Sequence, residues 1–388
     1  MDKSFSDKVA IAGIGQTTYY RGQGSGMTDI ALLSQAARRA IADAGLQPDD
    51  IDGIFSPVIR VGVRDLTSNL GIKHLEVGAK IEMGGASPLA SLRMATLAIA
   101  SGLAKNVLIV AGWNAYSQYR ARRSDEIGIL PGKICINHYI PSGATAPMQW
   151  FAIAARRYLH DFNVPTEALG AIAVASRKHA QLNPNALMQD KPMTMSDYLA
   201  SPMVAEPYRM LDCCLDSDAA GAIIVTSTER AKDMARHPVL VSGIEDGHPY
   251  PSDDFYNRED LHSIGLTHAA PRAFAMAGLK PADMNFAHIY DCFTFECLQQ
   301  IEEAGFCKRG EGKDFVQNGR IELGGELPLN THGGLLSEAH VLGISHITSA
   351  VEQLRRDAGS RQVLDAELGV VTGFGDFAEG SIAILKRA

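Results

Sequence analysis

The stretch from Asn330 to Ile344, Asn-Thr-His-Gly-Gly-Leu-Leu-Ser-Glu-Ala-His-Val-Leu-Gly-Ile, holds His332 and His340 on either side of the Gly333-Gly334 pair. Paired glycines let a backbone come close to a ligand, and an imidazole at the head of an apolar helix can be tuned by the helix dipole for proton transfer. The other reading of the same residues is a glycine turn followed by a helix in which His340 and His346 are ordinary members. Three more polar stretches, at 84–87, 290–294 (Tyr-Asp-Cys-Phe-Thr) and 372–376, fall like this one at the expected ends of strands or helices. Those ends are where α/β folds gather their active sites.

The elements that must position these residues are legible from hydrophobic period and punctuation. A buried strand is expected over 8–14, a helix over 30–44 capped by Thr28 or Asp29 and ended by Gly45, and a strand over 51–58. The Gly13-x-Gly15 turn lacks the third glycine of a dinucleotide fingerprint. Residues 86–102 form a helix with small and apolar residues on nearly every face, which places it between layers, and a strand at 106–112 follows. From 113 to 207 the composition shifts toward Tyr, His, Met, Asn and Pro, reading as a long insertion with helices at 145–161 and 166–181; such insertions commonly carry binding surfaces. Strands at 219–227, 239–244, 287–291, 368–374 and 381–385 and a helix at 342–356 complete the chain.

An internal repeat organises these elements. Residues 39–52, Arg-Ala-Ile-Ala-Asp-Ala-Gly-Leu-Gln-Pro-Asp-Asp-Ile-Asp, return at 272–285 as Arg-Ala-Phe-Ala-Met-Ala-Gly-Leu-Lys-Pro-Ala-Asp-Met-Asn, identical at eight of fourteen positions. The strands before them also match, Val-Ala-Ile-Ala-Gly-Ile at 9–14 against Val-Leu-Val-Ser-Gly-Ile at 239–244. A period of about 230 residues is far too long for a solenoid and implies a duplicated α/β half. The expected halves are 1–237, carrying the insertion at about 113–207, and 238–388.

Composition narrows the function. The 388 residues carry a net charge of -8 with both signs interspersed, which leaves no basic stripe for a nucleic-acid backbone. Arg120, Arg122 and Arg123 offer either a local cationic patch for an anionic ligand or a solvated face. Six cysteines without framework spacing read as free thiols of a reducing compartment. The N-terminus has no apolar core for a signal peptide, and no apolar run is long enough to span a bilayer, so a cytoplasmic location is expected.

With Tyr290-Asp-Cys-Phe-Thr, Gly305-Phe-Cys-Lys-Arg-Gly-Glu-Gly, Gly324-Gly-Glu-Leu-Pro-Leu-Asn-Thr-His-Gly-Gly-Leu-Leu-Ser-Glu-Ala-His and Asn183-Pro-Asn-Ala in view, the chain resembles the thiolase superfamily over its whole length. More narrowly it is similar to the lipid-transfer-protein (sterol carrier thiolase-like) branch. The resemblance implies an α/β thiolase fold of two duplicated βαβαβαββ halves in a five-layer α-β-α-β-α sandwich, usually a homodimer, acting on acyl-coenzyme A thioesters. It implies no bound cofactor or metal, with coenzyme A entering as part of the substrate.

The departures from the family pattern direct the functional reading. Where degradative thiolases carry a nucleophilic Cys at the head of the buried helix, this register reads Gly85-Ala86-Ser87-Pro88, and near the C-terminus Thr372-Gly373-Phe374-Gly375 holds no acid/base cysteine. Claisen chemistry needs a thiolate for the acyl group and a second acid/base for the carbanion. Tyr290 stands where relatives have Asn or His, and His340 where they have the His of Gly-His-Pro. This pattern resembles the steroid side-chain aldolases, which cleave β-hydroxyacyl-CoA by a retro-aldol step beside an OB-fold, zinc-ribbon partner. Tyr290 and His340 are then the catalytic candidates, and Gly85, Ser87, Asn330, His332, Gly333, Gly334 and Gly373 the substrate-binding ones. A retro-aldol step needs a base for the β-hydroxyl and donors for the departing enolate, without a covalent acyl-enzyme. Two alternatives stand beside it: an acyltransferase with a non-cysteine nucleophile such as Ser87, and a non-catalytic acyl-CoA or lipid-binding subunit.

Overall fold

The computed structural model describes residues 5–57, 61–117, 135–252, 254, 257–375 and 377–388, with the main chain alone at 135 and 136. Arg120, Arg122 and Arg123, the expected cationic patch, lie outside the described residues, as do Val58 and Asp376. The main strands are β1 (Val9–Gln16), β2 (Gly53–Ser56), β3 (Val77–Lys80), β4 (Asn106–Asn114), β5 (Asp218–Ser227), β6 (Val239–Gly247), β7 (Phe286–His288), β8 (Leu368–Phe374) and β9 (Gly380–Arg387). The main helices are α1 (Asp29–Asp43), α2 (Val63–Leu70), α3 (Ser87–Ala100), α4 (Pro147–Asp161), α5 (Thr166–Gln181), α6 (Gly265–Ala277), α7 (Thr294–Glu303) and α8 (Ile344–Arg355).

The strands join in a nine-stranded sheet ordered β3-β2-β4-β5-β1-β6-β9-β8-β7. The halves meet where β1 pairs antiparallel with β6 through Ala10–Leu240 and Ile11–Val239, so the two half-sheets are continuous. Read outward from that junction, 1-5-4-2 in the first half mirrors 6-9-8-7 in the second, and the parallel pairs β2–β4 and β7–β8 correspond. The first half adds β3 at its edge. In the second half that place is taken by a single parallel bridge from Ala287 to Leu329, the start of the Asn330 loop.

Strand alternation separates three cores. On β4, Leu108 and Val110 face α1, whereas Val107, Ile109 and Ala111 face the centre. On β9, Ile382 and Ile384 face outward against α6, whereas Ala383 and Leu385 face the centre. A period of two with both faces apolar means both faces of each half-sheet are covered. The central layer holds α3 and α8, each touching strands of both halves, with α1 and α6 on the outer faces, which gives the five layers.

The repeat is visible atom by atom. Each copy ends its helix with a left-handed glycine, Gly45 or Gly278, and follows it with a single turn, Pro48–Asp50 or Pro281–Asp283. Asp50 caps Gln47 N–H at 2.8 Å, and Asp283 caps Lys280 N–H at 2.9 Å. Gly13 is a packing residue: a Cβ there would run into the Ala40 carbonyl of α1, as one at Gly243 would run into Ala273 of α6. That close helix–strand approach accounts for the glycine that mimics a nucleotide-binding turn.

The insertion and the residue that follows it are bound to the second half through buried tyrosine–carboxylate pairs on α7. Tyr208 donates to Glu296 at 2.8 Å and Tyr158 to Glu302. No helix of the described residues is long and apolar enough to cross a membrane.

Candidate active site

The buried α3 helix begins at Ser87, directly after the turn Gly84–Ala86. Its head meets Tyr290, which is 4% exposed and lies beyond the end of β7. Position 85 has no room for a side chain: a Cβ on Gly85 would fall 2.5 Å from Tyr290 Cε2, and closer still to Cζ and the hydroxyl oxygen. A Cβ on Gly343, whose φ is +79°, would stand 3.0 Å from Tyr290 Cδ2 and 3.4 Å from the Gly85 carbonyl. The ring thus packs directly on two glycines, contributed by the α3 head and the α8 approach.

The main chain of Tyr290 is fixed as firmly as its ring. The expected strand over 287–291 is regular only as far as His288, because polar side chains take over the hydrogen bonds that neighbouring strands would supply. Asn330, with φ at +47°, accepts from Ile289 N–H and donates to the Ile289 carbonyl, both at 2.8 Å. Tyr290 N–H donates to Thr372 Oγ1 at 3.2 Å, and Gln300 Nε2 donates to the Tyr290 carbonyl at 2.7 Å. Asp291, fully buried, accepts from Leu335 N–H at 2.8 Å and bonds His346 Nε2 at 3.1 Å. The His346 ring stacks beneath Tyr290, with centroids 6.1 Å apart at 30°.

The Tyr290 hydroxyl lies 3.2 Å from His340 Nε2. His340 is half-buried, with its other ring nitrogen, Nδ1, 3.7 Å from Cys214 Sγ and its ring edge-on to Trp113 at 5.3 Å. Its N–H donates to Ser217 Oγ at 3.1 Å. Desolvation pushes the His340 pKa down to about 4, against the pull of Asp291 and with a smaller push from His346, so the imidazole is neutral near pH 7. The helix expected from 342 starts at Ile344, capped by Gly343. His340 therefore precedes the helix, and burial, not the helix dipole, sets its acidity.

The remaining sequence candidates divide. Gly373 joins the site: a Cβ there would meet Ala86 Cα at 2.7 Å and the Gly85 carbonyl at 3.0 Å. Ser87 lies at the α3 head but is 2% exposed, and its Oγ accepts from Met83 N–H at 2.7 Å. Asn330 is fully buried behind Ile289. His332 is also fully buried, packed on His288 and His346 at 4.7 Å, and desolvation holds its pKa well below the usual value. Gly333 packs on Ala180, and Gly334, at φ +64°, leaves room for the Asp291 carboxylate. These four build the wall behind Tyr290. Sequence reasoning missed Cys214 and Trp113, both brought in by chain crossings with no local signature, and it assigned no role to Gly343 although that glycine lies in the 330–344 stretch. Cys292, next to Asp291, is buried, and burial raises its thiol pKa.

Among the described residues no three His, Cys, Asp or Glu side chains converge as metal ligands. The described cysteines are all free, and burial raises every thiol, Cys213 and Cys307 to about 12 and Cys214, Cys292 and Cys297 well above the ordinary value. A thiolate nucleophile is therefore not populated among them near neutral pH.

Comparison with known proteins fits this geometry. The thiolase N-terminal domain matches residues 9–228, and the thiolase C-terminal domain-like family matches residues 249–387. The chain is 37% identical over 358 residues to a steroid side-chain-cleaving aldolase of Thermomonospora curvata, covering 89% of this chain and 90% of the relative. It is 38% identical over 365 residues to the 17-hydroxy-3-oxo-4-pregnene-20-carboxyl-CoA lyase of Mycobacterium tuberculosis, covering 90% and 92%. A solved structure, the Ltp2-ChsH2(DUF35) aldolase, superposes with a TM-score of 0.92 at 35% identity, covering 99% of both chains. With its two matched halves, continuous nine-stranded sheet and glycine-packed site at the head of the central helix, this chain belongs to the thiolase family.

Proposed function

We propose that the protein is a carbon–carbon lyase that splits a β-hydroxyacyl-CoA thioester by a retro-aldol reaction. The observation that carries this reading is the Tyr290 ring filling the space that a side chain at position 85 would need, with its hydroxyl 3.2 Å from a neutral His340. The position that the resemblance gives to a thiolase nucleophile is taken up instead by a proton-transfer group.

In this mechanism the Tyr290 oxygen accepts the proton of the substrate β-hydroxyl while its own proton passes to His340 Nε2. The Cα–Cβ bond breaks, the β-carbon becomes a ketone carbonyl, and the electron pair moves into the thioester enolate. The amino end of α3 favours that negative charge. Return of the proton from His340 through Tyr290 to Cα releases the shortened acyl-CoA, so atoms and charge balance without a covalent intermediate. The names of the two relatives, an aldolase of steroid side chains and a pregnene-carboxyl-CoA lyase, support a steroid side-chain CoA ester as the substrate class.

The assembly is read in the same way. The solved Ltp2-ChsH2(DUF35) aldolase supports a DUF35-type partner, for which the resemblance implies an OB fold and a zinc ribbon. A homodimer would pair through β3, the half-exposed edge strand, not through β4, which is hydrogen-bonded on both sides to β2 and β5. The free thiols suit a reducing cytoplasm.

The test is incubation of the protein, with its partner, with a tertiary β-hydroxyacyl-CoA and no added coenzyme A. Ketone and shortened acyl-CoA are expected in equal amounts, with no acyl adduct on the intact protein by mass spectrometry. A requirement for free coenzyme A, together with an acylated Ser87 or cysteine, would make the protein an acyltransferase instead.

A further inference from the structure

The segment 213–217 crosses the site without belonging to either of its recognised stretches. It is stitched to both: Cys214 N–H donates to the Cys292 carbonyl at 2.9 Å, Leu215 N–H to the Leu335 carbonyl at 3.0 Å, and Ser217 Oγ receives His340 N–H at 3.1 Å. This lattice sets the Cys214 sulfur against His340 Nδ1 at 3.7 Å, within the range of a sulfur hydrogen bond. Among the described residues Nδ1 has no other hydrogen-bonding neighbour.

A neutral imidazole carries one N–H, and its two neighbours decide which nitrogen holds it. A phenol O–H is a stronger donor than a thiol S–H, so the nitrogen facing Tyr290 is the better acceptor and the proton is left for the nitrogen facing sulfur. We propose that Cys214 is a positioning residue: its sulfur accepts Nδ1–H of His340, which presents the Nε2 lone pair to the Tyr290 hydroxyl. The thiol does for this histidine, more weakly, what a carboxylate or carbonyl does for others whose tautomer must be fixed. Burial keeps Cys214 in the neutral thiol form, so the arrangement adds no charge beside the enolate. The inference rests on the proton-transfer reading of Tyr290 and His340, and its test separates the two.

The experiment is nitrogen-15 NMR of histidine-labelled protein at neutral pH without substrate, with the His340 signals assigned by their loss in His340→Gln. The wild type is expected to show Nδ1 protonated and Nε2 unprotonated. Cys214→Ala is expected to shift His340 toward the other tautomer and to lower kcat by about tenfold with KM within twofold. Cys214→Ser, an oxygen on a shorter bond, should fall between, and serves as the second variant if the alanine protein does not fold. Nε2–H in the wild type, or the same tautomer in every folded Cys214 variant, would overturn the assignment. A tautomer shift in a protein that cleaves no β-hydroxyacyl-CoA would leave the assignment standing and sink the lyase reading.

Discussion

Gly85→Ala is the smallest perturbation that reaches Tyr290, the proposed proton-transfer group. The added Cβ would stand 2.5 Å from Tyr290 Cε2, against a comfortable carbon–carbon separation of about 3.6 Å, so the ring must retreat by at least about 1 Å. It has nowhere easy to go. Gly343 packs on its Cδ2–Cε2 edge, Thr372 and Gln300 hold its main chain, and His346 stacks beneath it. Retreat lengthens the 3.2 Å contact with His340 beyond hydrogen-bonding range. Misplacing a catalytic group by 1 Å typically costs about a hundredfold in rate, and overpacking a rigid core about 1–3 kcal/mol in stability. Turnover of the β-hydroxyacyl-CoA by Gly85→Ala is therefore expected to drop by about two orders of magnitude. Urea unfolding should show the stability loss, and Gly85→Ala in a Tyr290→Ala background should show little of it, the non-additivity expected for two side chains sharing one space. Turnover within threefold of the parent with unchanged stability would refute the mutual exclusion of Tyr290 and a side chain at 85.

Two further outcomes follow from the same structure. Ser87→Ala removes the acceptor of Met83 N–H and is expected to cost about 1–2 kcal/mol while keeping turnover within about threefold; a folded variant with no turnover would restore serine as a nucleophile. The pH dependence of stability has a worked sign. Burial lowers His179 and His340 to about 4, His288 to about 3, and His332 well below its usual value, so the unfolded chain takes up these protons first as pH falls. The stability these groups contribute is complete above about pH 6.5 and is lost below it. Glu296 and Glu338, raised to about 8 by burial, work in the opposite sense, being protonated in the folded state between their ordinary value and 8. Four histidines outweigh two glutamates on the acid side, and on the alkaline side the glutamates act in the same sense as the raised thiols, which oppose folding as pH climbs toward their ordinary value. Denaturant unfolding at pH 5, 6.5 and 8 is thus expected to give a maximum near 6.5, and a steady rise to pH 8 would contradict these assignments.

The architecture was legible in the sequence because it was written there twice. The repeated Pro-x-Asp turn and the helix-facing glycines of 9–14 and 239–244 are backbone requirements that each half meets with the same residues. The proposed pair was legible as a juxtaposition for a different reason: Tyr290 and His340 sit in motifs whose neighbours, Asp291 and Gly343, also pack against the site. What could not be read was how crossings complete it. Cys214 and Trp113 reach His340 from the two ends of the insertion-bearing stretch, and a doublet of cysteines with no spacing rule carries no signal of that contact. The glycines of the 330–344 stretch misled in detail, because Gly333 and Gly334 admit Ala180 and the Asp291 carboxylate, groups of the protein itself. A glycine needed for close approach looks the same in sequence whether the neighbour is a ligand or a side chain.

The central claim is that Tyr290, backed by His340, moves the proton of a bond cleavage that uses no covalent intermediate. Single-turnover kinetics of Tyr290→Phe on a tertiary β-hydroxyacyl-CoA tests it most directly, because the change removes one oxygen and leaves the ring that fills the space beside Gly85. The account predicts an intact fold, acyl-CoA affinity within a few-fold of the parent, and a cleavage rate lower by about two to four orders of magnitude, with His340→Ala also impaired. Near-parental cleavage by folded, substrate-binding Tyr290→Phe and His340→Ala proteins would contradict it.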